Sequence, residues 1–588
     1  MRIGFVSPSV LGHLHPTTAL ARALQSRGTC LGRFRFVLLS LAVVLLSSCE
    51  KSDSPVDAVD AALAETMSAM HSAMHDVSLD GKADADFARM MIPHHLVIFE
   101  MLLLGANLKL MAGQVPGSAY APDIPVSSQD RVYTADQTSN TVSVYDPSTN
   151  RLLGVIPLGI PTPQNLSPLY RGQLLVHGMG FSFDHKTICV VSVGSNSVSF
   201  IDTATNSVKA ITYVGRSPHE AFFTPDDSEV WVTVRGEDYV SVIDSQTYKE
   251  KLRISVGNGP GMTIFRPDGK YGFVCSSFTP ETKVIDVKTH QIVATVPQYS
   301  PFSPNIAATS DGRQVWFTLK DTGKTQVFRA APPFDILATL DTGPITNHVN
   351  IVRNGNGQFA YITVGGENVV NVYTTTNTPQ LVATIPTGEL PHGIWPSGDG
   401  TRVYVALENG TGVNAIDTLS NQVIARISGG QSSQALTYVP GAVPTGNGLS
   451  NLVPIGNSDL AAHLTMGPPG TNPATAPTTV AVNNQGLTDL LQAAVTGLQP
   501  MTNYELALAE NRSSPYGKLE PIVAFTTNAA GAQIVDTLGP LRQVVTGPAQ
   551  RSGQDQEPDR QYLVIIPASG SSQPLQVQLD YNGAPWHE

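Results

Sequence analysis

Four histidines hold one position of a recurring unit in this chain. His177, His219, His348 and His392 each stand seven residues before a turn residue, which is Asp184, Asp226, Gly355 or Asp399. An imidazole can ligate a metal, move a proton near neutral pH or hydrogen-bond a polar ligand. A chelate needs ring nitrogens converging to about 2.0–2.1 Å from an ion such as zinc. Polar stretches between the same repeats add Arg235, Glu237, Glu367 and Glu408, with Asn140, Asn196, Lys320 and Asp321 nearby in the pattern. A second group lies far upstream. Met67, Met70, His71 and Met74 fall at i, i+3, i+4 and i+7, on one face of a helix, and His94, His95 and Met101 follow. Thioether and imidazole together suit copper, above all Cu(I). The competing reading is that the methionines fill gaps in a core.

The repeats that must position the histidines are plain. Each has a hydrophobic strand, a polar turn and a second strand ending at an anchor. The anchors are Asp146, Asp202, Asp244, Asp286, Arg329, Tyr373 and Asp417. After a first long step the spacing settles near 42–44 residues. Four short strands per unit at such a period mark a β-propeller, here with seven blades. The first repeat lacks its innermost strand, and Gln431–Val439 matches that missing strand, so the chain should close its own ring. Innermost strands line the central channel. The loops entering them and the loops after the second strand share one face, so the histidines and the Arg/Glu/Asn loops should ring one mouth. A wide channel would be water-filled, so these side chains are expected to be solvated. An insertion between Gly159 and Val176 adds a loop.

Composition narrows the rest. The 588 residues carry a net charge of −12, only 14% charged residues, 51 Gly and 43 Pro. No basic run offers a phosphate footprint, which argues against nucleic acid. Cys189 and Cys275 fall in equivalent strands of non-adjacent blades and read as buried free thiols. No Ser-His-Asp arrangement, paired carboxylates or Gly-rich phosphate loop emerges.

The expected organisation is an N-terminal fragment (1–30), an export signal (31–49), a Met/His-rich helical segment (50–112), a linker (113–128), the propeller (129–441), a second linker (442–477) and a small β-sandwich (478–588). Two arginines precede the apolar run 36–46, and Leu46-Ser47-Ser48-Cys49 resembles a bacterial lipobox. That resemblance implies lipidation at Cys49 and a periplasmic or cell-surface protein tethered to the membrane. Residues 1–28, with Gly12, His13 and Pro16, resemble the opening strand, loop and helix of UDP-sugar glycosyltransferases, as a gene-fusion remnant or a misassigned start. Asp86-Phe87, Met91, Pro93-His94-His95, Glu100 and Met101 resemble a family of secreted helical domains often linked with copper, though the family's Gln-Gly-Ala is Leu96-Val97-Ile98 here and its last helix is missing.

The repeats resemble the YVTN family of bacterial propellers, through Val132-Tyr133-Thr134-Ala135, Val230-Trp231-Val232-Thr233 and Val403-Tyr404-Val405-Ala406. Leu498–Tyr504 resembles the tyrosine corner of fibronectin-type-III-like sandwiches. The sequence thus points to an envelope-anchored, mainly β, seven-bladed propeller that binds an unknown small ligand or envelope protein at the mouth, with a link to copper or another metal. The C-terminal domain reads as an accessory module. The alternative is a propeller enzyme, a lactone hydrolase or a periplasmic-dehydrogenase-like subunit, using a metal or cofactor at the same mouth.

Overall fold

A computed structural model describes residues 125–159, 172–456, 461–485, 488–545, 561–570 and 573–579. The readings on the signal, Cys49 and the Met/His segment lie outside these residues, as do residues 160–171 of the insertion.

Seven four-stranded antiparallel sheets form the propeller. We number the blades 1 to 7 and letter their strands A to D outward from the axis. The A strands of blades 2 to 7 are Val176–Phe181, Pro218–Phe223, Pro260–Phe265, Ile306–Ala308, Thr346–Asn354 and Pro391–Pro396. Blade 1 is composite. Its A strand is Ser433–Val439, paired antiparallel with Arg131–Asp136 as strand B. The ring closes as the missing strand requires, which leaves no open edge between first and last blade. Burial falls off outward. The A and B strands are almost wholly buried, whereas a D strand such as Val208–Tyr213 is largely exposed.

The repeated residues have identifiable duties. Each anchor Asp folds the turn after strand C: Asp202 accepts from the N–H and hydroxyl of Thr205, Asp244 from those of Thr247, and Asp417 from those of Ser420. Short acidic side chains do this because they can bond the backbone two or three residues on. Threonines at the end of strand B tie blades together. Thr233 Oγ1 donates to the Gly261 carbonyl at 2.8 Å, and Thr363 Oγ1 to the His392 carbonyl at 2.8 Å. Ring closure has its own buried network. Asp136 accepts from the hydroxyls of Thr134, Thr141, Ser143 and Ser433 and from the Ser143 N–H. Cys189 and Cys275 are buried free thiols.

After Val439 the chain runs along the outside of blades 1 and 2. Val453 bridges Val155 of the outer strand, and Asn206 Nδ2 donates to the carbonyls of Gly448 and Ser450. The C-terminal region is one continuous eight-stranded antiparallel sheet. Its edge strands, Leu519–Thr526 and Gln533–Gly539, come alongside each other, and one core including Leu464, Val482, Leu491, Leu506 and Ile565 fills the interior. The expected two-sheet sandwich is therefore a single sheet curled toward a barrel. Alternating apolar residues produce the same pattern in either arrangement. The tyrosine corner is present in local form: Tyr504 is buried and its hydroxyl oxygen accepts the Gln499 N–H at 3.2 Å.

Candidate functional site

The histidines begin their A strands at an irregularity. In blades 2, 3, 6 and 7 the A–B register shifts across Val176/Met179, Pro218/Ala221, Thr346/Val349 and Pro391/Ile394, intervals that each contain the histidine. A bulge re-aims a side chain. Here the result is mutual contact around the axis. The His177 and His219 rings are 4.5 Å apart, His348 and His392 are 4.5 Å apart, and His177 meets His392 edge-on at 6.0 Å. His219 Nδ1 bonds the Gly261 carbonyl at 2.8 Å, and His392 Nδ1 bonds the Gln434 carbonyl at 3.0 Å. Gly261 and Gln434 are the repeat equivalents of the histidines in the next blades. Close packing between neighbouring A strands depends on Gly178. A Cβ there would come within 2.0 Å of the His219 carbonyl oxygen and 2.5 Å of Glu220 Oε2.

The expected solvated channel is corrected at this point. Phe222, Met262, Ile264 and Trp395 converge below the histidines and leave only a cavity of about 20 Å³, which also touches Glu220 and His348. The four imidazoles are 3–8% exposed. Burial, with Arg235 adding to it, holds His177 down to about 3, and burial holds His219, His348 and His392 well below the ordinary histidine range. The rings are therefore neutral at physiological pH. His177 Nδ1 and His348 Nε2 are buried without a hydrogen-bond partner among the described residues. Glu220 is also buried. Its Oε2 accepts the Met179 N–H at 3.2 Å, and burial pushes its carboxyl up to about 8, so it is a neutral acid at pH 7.

Above the histidine layer lies a cavity of about 510 Å³. His177, His219, His392, Arg235 and Glu408 line it. Of the other sequence-derived candidates, His348 lines the small cavity beneath, and Glu237 is tied to Arg216 at 2.8 Å on the outer surface. Glu367 stands in a 3-10 turn and does not line the cavity. The loop asparagines are structural. Asn140, Asn196 and Asn368 adopt positive φ, and each Oδ1 accepts the N–H that leads into the next blade's A strand, from Leu175 (2.7 Å), Ser217 (2.9 Å) and Leu390 (2.8 Å). Among the described residues, no group of three or more His, Cys, Asp or Glu is placed to hold a metal ion.

Two cations dominate the mouth. The Arg235 guanidinium lies over the rings of Phe302 (5.1 Å) and Phe278 (5.9 Å). Such stacking steadies an arginine while leaving its N–H fork free for an acid. Lys320 stands on the corresponding loop of blade 5. Burial lowers both groups from their ordinary values. Glu408 lies 3.8 Å from His392 Nε2. Lys320 and Asp321 could be placed at the mouth from the repeat alone. Asn528, Gln533 and Asp536 of the C-terminal barrel also line the cavity, and no periodic signal marks them.

Residues 192–419 match the family described as Lactonase, 7-bladed beta-propeller. That span covers most of the ring and less than half of the chain. No curated protein matches the chain in sequence. Among solved structures, Kuenenia stuttgartiensis hydrazine synthase is 18% identical, over 47% of this chain and 93% of that one, with a TM-score of 0.41. A functionally unknown protein from Desulfotomaculum acetoxidans DSM 771 is 15% identical, over 52% of this chain and 98% of that one, with a TM-score of 0.45.

Proposed function

We propose that this protein binds a small polar molecule at the mouth of its propeller. The observation that carries the reading is the 510 Å³ cavity on which Arg235, Lys320, Glu408 and three neutral histidines converge. A concave site of this size with a few convergent polar groups is the common form of a small-molecule pocket. A thermal-shift screen of polar metabolites supports it if hits vanish in an Arg235→Gln/Glu408→Gln variant. Hits that survive that variant overturn it.

The second reading, lactone hydrolysis, is favoured by the family match over residues 192–419. In that case Glu408 would take a proton from the attacking water, Arg235 would stabilise the developing oxyanion, and the proton on Glu408 would pass to the ring oxygen as the acyl carbon–ring oxygen bond breaks to give the hydroxy acid. Hydrolysis of glucono-δ-lactone that is lost in Glu408→Gln would favour it. Envelope tethering through Cys49, and copper at Met67, Met70, His71, Met74, His94, His95 and Met101, belong to the same proposal. They rest on the sequence motifs alone.

A further inference from the structure

The cavity has a second wall that the repeats do not supply. The C-terminal barrel is seated on the propeller mouth. Ile345 and Leu390, from loops entering A strands, bury themselves against Ala494 and Ala532, with Ile534 packed alongside. Asn409 Nδ2 donates to the Thr479 carbonyl and hydroxyl, both at 3.3 Å, and Glu389 lies 3.4 Å from His463 Nδ1. This contact is apolar at its centre and polar around it, as a stable interface is. Gln492, Gln533 and Asp536 of the barrel line the same cavity as Arg235.

The lining divides by charge. Arg235 belongs to blade 3, and among the described residues no carboxylate forms an ion pair with it; it lies over the two phenylalanine rings, and the carboxyl that acts on it electrostatically is the buried, neutral Glu220. Glu408 belongs to blade 7, across the ring, and Asp536 acts electrostatically on it and on Lys320. One lysine beside two carboxylates leaves that side net negative. On the blade 3 side Arg235 is the one charged group among the described residues that line the cavity. Asp321, next to Lys320 on blade 5, also lines the cavity and is held by the Ser300 hydroxyl at 2.6 Å. The histidines are neutral and tilt neither side.

We propose that the barrel is the second wall of the binding chamber, and that the chamber takes a small organic zwitterion, its acid group held by Arg235 and its basic group by Glu408 and Asp536. This rests on the mouth being a binding site. A molecule with only an acid group leaves the two carboxylates unanswered, and one with only a basic group leaves Arg235 unanswered. Each unmatched buried charge weakens binding strongly. Gln492, paired across the sheet with Asp536, holds that carboxylate from the barrel side.

The test is calorimetric titration of the full chain at pH 7, where Glu220 stays neutral and Asp536 is ionised, at fixed ionic strength with 6-aminohexanoate, hexanoate and hexylamine. The expected result is that 6-aminohexanoate binds at least tenfold more tightly than either relative. Arg235→Gln should abolish binding. Asp536→Asn, which keeps the shape, should erase the advantage over hexanoate. Gln492→Trp should fill the chamber from the barrel side and block binding, with an unchanged melting temperature showing that the fold persists. If Arg235→Gln abolishes binding while Asp536→Asn and Gln492→Trp leave it untouched, the barrel is no wall and binding at the mouth stands alone. If Arg235→Gln also changes nothing, both readings fall. Equal affinity for hexanoate, or no binding of any of the three, overturns the zwitterion class.

Discussion

Replacing His219 and His392 together with alanine should destabilise the propeller by about 4 kcal/mol. Each side chain is nearly dry, at 3% and 4% exposure. Each donates its Nδ1–H to a carbonyl of the next blade, at 2.8 and 3.0 Å. A hydrogen bond of that kind contributes about 1 kcal/mol net. Removing each ring adds about 1–2 kcal/mol, less than at a fully enclosed site because His219 and His392 also line the larger cavity above, into which the vacated space opens. The two sites are not independent, since His177 touches both rings, so the double variant should depart from the sum of the singles by about 0.5 kcal/mol or more. Part of the Gly261 loss is cushioned, because Thr233 Oγ1 still donates to that carbonyl. The assay is urea unfolding followed by tryptophan fluorescence, with buried Trp231 and Trp316 as reporters. A change below about 1 kcal/mol would mean the histidines are solvated after all, and the packed-layer argument would fail.

Three further outcomes are expected. Stability should fall with acid through His177. Its imidazole takes a proton near 6.5 when unfolded but only near 3 when folded, so stability is lost as pH drops below 6.5; His177→Asn should lose about 1 kcal/mol less than wild type between pH 7.5 and 5.5, and parallel curves would refute this. Asp136→Ala should cost about 3 kcal/mol and speed amide exchange selectively in Arg131–Asp136 and Ser433–Val439, because buried donors lose their acceptor where the ring is closed; uniform exchange across all blades would contradict the closing role. Cys49→Ala should leave the protein unprocessed or released from membranes, and mass spectrometry finding residues 1–30 on mature wild type would dismiss lipidation.

The ring was readable in the sequence because each blade repeats the same local chemistry. The anchor Asp and the following Ser or Thr make the same turn wherever they occur, and the Thr of Val230-Trp231-Val232-Thr233 ties one blade to the next. The closing strand was readable for the same reason: the first repeat lacks an innermost strand, and residues 433–439 supply it. Repetition also placed the four histidines at one level. It could not show that they are buried, because that depends on how Phe222, Met262 and Trp395 from different blades meet at the axis. Nor could it separate Glu408, which lines the cavity, from Glu237, which an exposed arginine draws away. Asp536 was invisible as a site residue. It sits on an ordinary alternating strand and reaches the cavity only through the seating of one domain on another.

The composite first blade also sets a timetable. Strand Arg131–Asp136 leaves the ribosome roughly 300 residues before its partner Ser433–Val439. At about 5–20 residues per second that is an interval of about 15–60 s, during which the nascent ring is a row of blades with a bare edge at its beginning. The barrel emerges only after the closing strand. The chamber at the mouth is therefore the last part of the molecule to be assembled, and a ribosome that stalls before residue 433 leaves six complete blades and an exposed strand that invites pairing with another chain.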